Sequence, residues 1–167
     1  ILLTHMTPTG RATGRALFAR HGERVIQSYL PYDLGFIVRR FLRHYAPRIC
    51  ILMETEVWPN LIDGCAKAGV PVALVNARLS ERSLRRGQRF GTLMGEAARA
   101  ITTVAAQTEA DAERIRSLGA PRVAVTVRSP VYEATSSTTV PSTSRRTSTP
   151  PSAADVNAII AASPGTK

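Results

Sequence analysis

Two carboxylates, Glu54 and Glu56, stand in METEVWPN (53–60), where the apolar run RICILM (48–53) gives out. Acids at the end of a buried strand can hydrogen-bond a sugar hydroxyl, or act as a general base where partial burial raises their pKa. Pro59 suits a first helical turn, and Glu56 would favour the positive end of the helix that follows. Capping therefore accounts for one acid. Glu54, continuing the strand's inward–outward alternation, is expected at the rim of a cleft.

Further polar groups follow the other apolar runs. Thr7, Thr9 and Gly10 in TPTG come after ILLTHM and before a helical stretch, where backbone N–H groups could meet an anion. Threonine and glycine are also ordinary loop residues. In YLPYD (29–33), Pro31 fixes a turn beside Tyr32, and Asp33 reads as the cap of the helix that follows. Asn60 closes METEVWPN. Asn76, Arg78 and Ser80 offer an amide, a guanidinium and a hydroxyl, and Gln107 precedes a helix starting near Thr108. Tyr29, Tyr32 and Trp58 read as packing or rim residues. His5, His21 and His44 lack metal-ligand spacing, and no Walker A or Rossmann glycine fingerprint occurs, so no metal or cofactor is expected.

The elements that must position these groups alternate. Strands are predicted at ILLTHM, RVIQSYL, RICILM, VPVALVNA, ITTVAA and RVAVT. Helices are predicted around 15–20, in LGFIVRRFLRHY, over 59–67 ending at Gly69, from a Ser80 N-cap toward Ala100, and in TEADAERIRSLG. Strands alternating with helices argue for a parallel sheet covered on both faces, a doubly wound α/β domain. In such sheets ligands bind at the carboxyl ends of the strands, where the polar groups above fall.

The chain of 167 residues suffices for one domain with its own core. No apolar run is long enough to span a membrane, and Ile1 opens directly into strand-like sequence without a secretory signal. The net charge is +10, carried almost wholly by arginine. Such an excess suggests an anionic partner (nucleic acid, a phosphorylated substrate or acidic lipid) or an arginine-rich genome. Cys50 and Cys65, without CxxC spacing, read as reduced packing residues. From residue 127 the text turns rich in Ser, Thr and Pro, and 127–167 reads as a disordered tail in which VNAIIAA could form a helical turn or two without a partner.

TPTG, YLPYD, METEVWPN, NARLSERS and AAQTEADAERIRSLGA, in this order, resemble the amino-terminal domain of the bacterial 3-deoxy-D-manno-octulosonic acid (Kdo) transferases, over residues 2 to about 126. The resemblance implies the amino-terminal, Rossmann-like half of a glycosyltransferase-B fold. It also implies an inverting, metal-free transfer of Kdo from CMP-Kdo to the lipid A precursor, lipid IVA. That transfer belongs to lipopolysaccharide biosynthesis at the cytoplasmic face of a Gram-negative inner membrane, with no nucleic-acid partner. Glu54 and Glu56 would support the catalytic base. Thr7, Thr9, Gly10, Tyr32, Asn60, Asn76, Arg78, Ser80 and Gln107 would contact substrate. Arg39, Arg40 and Arg43, interleaved with Phe36, Phe41 and Leu42, would face an anionic membrane, the alternative being an ordinary amphipathic helix.

The pattern also departs from that family. Its anchor segment and its central first strand, ending in a Gly-Glu motif that carries the base, have no counterpart here, and Gly22-Glu23 and Gly95-Glu96 stand at unrelated places. The Gly-Asn-Leu-Lys-Phe-Asp-like motif and the donor domain are likewise unmatched. The expectation is an acceptor-side portion, truncated at both ends, with a gap at the sheet's centre and no activity alone. A non-catalytic module for anionic lipid, or a truncated gene product without a stable fold, are the alternatives.

Overall fold

Each apolar run ahead of a glycine- or proline-marked turn becomes a strand, and each amphipathic stretch between them a helix. The computed structural model describes residues 1–54, 57–89, 91–121, 125–127 and 158–162. The strands are β1 (Leu2–His5), β2 (Ile26–Tyr29), β3 (Pro47–Met53), β4 (Val72–Ala77), β5 (Thr103–Ala106), β6 (Val125–Val127) and β7 (Ala158–Ala162). The helices are α1 (Pro8–Phe18), α2 (Gly35–Tyr45), α3 (Pro59–Lys67), α4 (Glu81–Arg89), α5 (Gly91–Ala100) and α6 (Glu109–Ser117). A 3-10 segment, Ala19–Arg24, joins α1 to β2.

The strands form one sheet in the order β2-β1-β7-β3-β4-β5-β6. β1 and β2 are parallel, as are β3 through β6. β7 is antiparallel to both β1 and β3, so those two share a direction and the six alternating-unit strands all run one way. The expected α/β architecture, a parallel sheet flanked by helices, is the one present. Leu2, Leu3, Thr4 and His5 of β1 are all buried, as a parallel strand covered on both faces requires.

The main core gathers Leu2, Leu52, Leu61, Ile62, Val72 and Val104 between the sheet and its helices. Each such side chain contributes about 1.5–3 kcal/mol relative to exposure. Cys50 and Cys65 are free thiols within this core. A hydrogen bond that the Cys50 thiol donates to Cys65, reinforced by burial, pushes the Cys50 pKa far above the ordinary cysteine range. Gly69 and Gly119 end α3 and α6 in left-handed conformations, φ +68° and +116°, that suit glycine.

Helix α1 lies unusually close to β1. A Cβ built on Gly14 would stand 2.6 Å from His5 Cε1 and 3.1 Å from Gln27 Oε1. The imidazole of His5 is itself wholly buried and paired with Gln27 at 3.2 Å. Gly14→Ala must therefore displace that pair or lift the helix, and is expected to cost about 1–3 kcal/mol, the usual penalty of overpacking. Urea unfolding of the variant checks this. An unchanged midpoint would mean that α1 moves freely on the sheet.

Several sequence expectations are corrected here. The first helix covers Pro8–Phe18 rather than beginning near Arg15, because Thr7 caps it and Pro8 occupies the first turn. Where one helix was expected from Ser80 toward Ala100 there are two, α4 and α5, with Phe90 between them outside the described residues. The largest correction concerns the tail. Within VNAIIAA, Ala158–Ala162 is a strand, not a helical turn, and it does find partners, on both sides. It occupies the centre of the sheet, where a gap was expected. Residues 128–157 and 163–167 lie outside the described residues.

Candidate functional site at the carboxyl edge of the sheet

The parallel direction of six strands brings the loops after β1, β2, β3, β4 and β5 to one edge. Two of these strand ends carry non-glycine residues in left-handed backbone conformations: Glu54 with φ 58° and Asn76 with φ 53°. β3 thus ends at Met53, and Glu54 turns out of the strand instead of continuing its alternation. The Glu54 N–H donates to the Val75 carbonyl at 3.0 Å, and its carbonyl accepts from the Arg78 N–H at 3.4 Å, tying the turn to β4. Asn76 forms an irregularity in β4, between the registers of Val75 and Ala77 with β5.

Side chains then converge in pairs. Gln107 Nε2, at the end of β5, donates to Asn76 Oδ1 at 2.7 Å. Glu54 and Arg78 line one small cavity of about 30 Å³ together with Val57, Leu79 and Met94. A carboxylate, a guanidinium and two amides at adjacent strand ends can bind a polyhydroxylated or anionic group. Glu56, the other acid of METEVWPN, lies outside the described residues.

Asp33 does not cap the helix that follows it. Helix α2 has Leu34 at its N-cap, with no side-chain hydrogen bond. Asp33 instead reaches the start of α3, where Oδ1 accepts from Leu61 N–H at 2.8 Å and Oδ2 from Asn60 N–H at 3.1 Å. Asn60 Nδ2 returns a bond to the Asp33 carbonyl at 2.8 Å. Asn60 is accordingly held as a structural partner at the helix start. Asp33 thus sets a carboxylate at the positive end of α3, where Glu56, outside the described residues, was also expected to act.

Thr7 and Gly10 also spend groups on each other, since Thr7 Oγ1 accepts the Gly10 N–H at 3.0 Å. That removes one donor from the anion nest foreseen in TPTG, while Thr9 stays exposed. Tyr32 is 83% exposed on the same edge. Tyr29 is a rim residue whose ring lies 4.9 Å from the Arg11 guanidinium carbon. Trp58 packs, half-buried, against the core. Ser80 takes the Ser83 N–H at 3.2 Å, acting as the helix cap foreseen for it.

Two functional supports were missed in the sequence. Asp111 Oδ1 accepts the Leu79 N–H at 2.9 Å, and Arg114 Nη1 donates to the Leu79 carbonyl at 3.2 Å. Together they clamp the loop carrying Arg78 and Ser80. The available signal was Thr108 three residues ahead of Asp111, the spacing of a reciprocal cap, and Thr108 Oγ1 does accept the Asp111 N–H. Burial works against the charge on Asp111. The hydroxyl of Thr108, the Leu79 N–H and the guanidinium of Arg114 outweigh it, and hold the pKa below the ordinary value of 3.8.

The sign of the resulting pH effect is fixed. A carboxyl depressed in the folded state contributes stability above its unfolded pKa, and that contribution is lost as pH falls through the folded value. Asp111→Asn is therefore expected to lower stability at pH 7 by about 1–3 kcal/mol, and to flatten the loss of stability below about pH 4. Unfolding midpoints at pH 7 and pH 3 measure both. An equal effect at the two pH values would mean that the charge does not matter.

Helix α2 crosses from this edge to the opposite one. Val38, Phe41 and Leu42 face the core, while Arg39, Arg40 and Arg43 are exposed. Phe41 and Leu42 are thus not part of a surface patch. Its exposed apolar groups are Leu34 and Phe36, 51% and 65% accessible. Arg39, Arg43 and Lys67 wall a cavity of about 510 Å³ at the far end of the helix.

The sequence model for 3-deoxy-D-manno-octulosonic-acid transferase (kdotransferase) matches residues 1–130. The chain belongs to the Kdo transferase family. The 3-deoxy-D-manno-octulosonic acid transferase of Bordetella pertussis is 46% identical over 128 residues, which are 75% of this chain and 30% of that protein. The enzyme of the same name from Haemophilus influenzae is 38% identical over 122 residues, 73% of this chain and 28% of that protein. A bifunctional glycosyltransferase/methyltransferase of Fusobacterium nucleatum is 31% identical over 120 residues, 72% of this chain and 19% of that protein. The chain therefore spans about three tenths of the length of the first two Kdo transferases. All the strand-end groups described above lie inside the family match, and β7 lies outside it.

Proposed function

We propose that this domain provides the acceptor side of a glycosyltransferase that moves Kdo from CMP-Kdo to the lipid A precursor, lipid IVA, at the cytoplasmic face of a Gram-negative inner membrane. The observation that carries the reading is the family match across residues 1–130, with Glu54, Arg78, Asn76 and Gln107 gathered at one edge inside it. In the proposed step, inverting and metal-free, an acceptor hydroxyl gives its proton to a carboxylate base. Its oxygen attacks the anomeric carbon of Kdo, and the carbon–oxygen bond to CMP breaks with its electron pair leaving on the phosphate. Glu54 and Glu56 support that base. Thr7, Thr9, Gly10, Tyr32, Asn60, Ser80 and the strand-end amides orient the acceptor directly or through their loops.

The chain by itself is proposed to bind acceptor without turning it over, as it spans about three tenths of the Bordetella pertussis transferase. Incubating the purified chain with CMP-Kdo and lipid IVA, beside a full-length transferase carrying the same domain, tests both parts. Product from the chain alone would refute its inactivity, and a lack of acceptor binding would refute the acceptor-side reading.

A second reading, docking to anionic lipid, is favoured by the exposed strip of Tyr32, Leu34 and Phe36 continuing into Arg39, Arg40 and Arg43. Among the described residues no helix is long and apolar enough to cross a membrane. Each arginine at an anionic surface contributes about 1 kcal/mol, so replacing all three with alanine should weaken vesicle binding on the order of 100-fold. The loss should shrink with added salt. Sedimentation with phosphatidylglycerol vesicles measures it, and equal binding by the triple variant would exclude this surface.

A further inference from the structure

A cavity of about 510 Å³ opens at the amino edge of the sheet, opposite the strand ends that carry Glu54, Asn76 and Gln107. Its floor is apolar, made by Leu42 of α2, Pro47 at the start of β3 and Val70 just ahead of β4. Its walls are the later turns of α2 and α3, and these are fixed against each other. A Cβ built on Gly64 would stand 2.7 Å from Val38 Cγ1 and 3.2 Å from Leu42 Cδ1, so the helices touch where that side chain is missing. The space is therefore formed before anything enters it. Its volume falls in the range of about 300–1,000 Å³ usual for small-molecule sites.

The rim is basic. Arg39, Arg43 and Lys67 line the cavity, and neither arginine is in an ion pair with a described residue. Lys67 meets Asp63 at 2.7 Å, but both side chains are exposed, and such a pair holds its ammonium weakly. Arg43 and Lys67 stand in the last turns of α2 and α3, where each faces about half a negative charge of a helix dipole. Three cations, less the Asp63 carboxylate and the two helix ends, leave about one positive charge above the apolar floor. The dipoles account for one cation at each helix end. They account neither for Arg39, in the middle of α2, nor for the recess beneath it.

We infer that this cavity binds a small amphipathic monoanion, its apolar chain resting on Leu42, Pro47 and Val70 and its charged head meeting Arg43 and Lys67, with Arg39 alongside. The site is separate from the acceptor edge and does not depend on the transfer proposed there. It shares Arg39 and Arg43 with the vesicle-docking strip, whereas Arg40, Tyr32 and Phe36 belong to the strip alone. One chain with one negative charge is the chemistry required, and a free fatty acid and a single-chain phosphodiester lipid both supply it.

Calorimetric titration of the full chain with laurate, below its micelle concentration, tests this. Laurate should bind at one site, and uncharged monolaurin at least about 10-fold more weakly. Ala68 is an exposed residue of the cavity wall, so substitutions there should leave the fold intact by circular dichroism. Ala68→Trp, which fills the space, and Ala68→Glu, which sets a negative charge in it, should each cut laurate affinity about 10-fold or more. Arg43→Ala with Lys67→Ala, both exposed, should do the same without filling the space. Arg40→Ala, outside the cavity, should leave laurate binding unchanged while weakening sedimentation with phosphatidylglycerol vesicles. Twelve-carbon lysophosphatidylglycerol, titrated beside laurate, separates a lipid headgroup from a free acid, and the tighter of the two names the source. An absence of binding by both, or equal affinity for laurate and monolaurin, would overturn the inference. So would laurate affinity that survives the Ala68 and Arg43/Lys67 variants, or that falls as far in Arg40→Ala.

Discussion

Asp33→Ala is expected to lower the stability of the domain by about 2–4 kcal/mol, the largest effect of any exposed-loop substitution in it. The carboxylate lies 27 and 28 residues from the two amides it receives, Asn60 N–H and Leu61 N–H. It therefore does in three dimensions what an N-cap does locally, and it does so with a full negative charge at the positive end of α3. A cap of ordinary strength contributes about 0.5–2 kcal/mol. A carboxylate facing the helix dipole adds about 0.3–1. The remainder arises because Leu61 is buried, so its N–H would lose a partner without gaining water. Asp33→Asn keeps a cap-competent oxygen and should cost about 1 kcal/mol.

The reciprocal bond from Asn60 Nδ2 to the Asp33 carbonyl makes the pair a unit. The two side chains also meet directly, Asn60 Nδ2 donating to Asp33 Oδ2 at 3.4 Å, and a double-mutant cycle with Asn60→Ala should give a coupling of about 0.5 kcal/mol through that contact. Urea denaturation at neutral pH supplies all four corners. Additive single effects would show that each side chain acts through the other residue's backbone alone. Because Asp33 ends YLPYD and Asn60 ends METEVWPN, loss of the pair should also disturb the loop that carries Glu54 and Glu56. The structural reading of these residues and the proposed acceptor site are thus linked by one cap.

Much of this fold could be read in advance, for identifiable reasons. Pro59–Lys67 was legible to the residue because proline opens it, Gly69 closes it and its apolar positions keep helical spacing. The strand ends carrying Asn76 and Gln107 were legible because parallel strands are apolar runs that stop abruptly. What remained hidden depended on partners far away in sequence. AIIAA is too short for periodicity to separate strand from helix, and only the open edges of β1 and β3 decide between them. Asp33 has a helix next to it and another across from it, and local capping rules favour the wrong one. Asp111 reads as one charge among several on an amphipathic helix until Leu79 is seen beneath it. The left-handed turn at Glu54 has no signature at all, since the residue expected there is glycine or asparagine.

That last mismatch separates two possible roles for Glu54. A glutamate with φ 58° costs about 1–2 kcal/mol in backbone strain, and glycine would adopt the same turn freely. If Glu54 were only a loop residue, Glu54→Gly would be a stabilising and harmless change. If the carboxylate serves the acceptor site, as proposed, stability and activity should move in opposite directions. The domain should unfold at equal or higher urea, by up to about 1 kcal/mol after the entropy of the added glycine is counted. Transfer by a full-length transferase carrying this domain should meanwhile fall about 100-fold or more, the usual weight of a positioned acid–base group. Glu54→Gln keeps the strain and the shape, so it should match wild type in stability and still lose most of the activity. Asn76→Gly provides the contrast, because asparagine already tolerates the left-handed region and little strain is there to relieve. It should lose only what its 2.7 Å bond to Gln107 contributes. A Glu54→Gly enzyme that is both more stable and fully active would remove Glu54 from the site. The observed pattern of strain would then mark a tight turn and nothing more, since strain at a strand end argues for function only when relieving it costs activity.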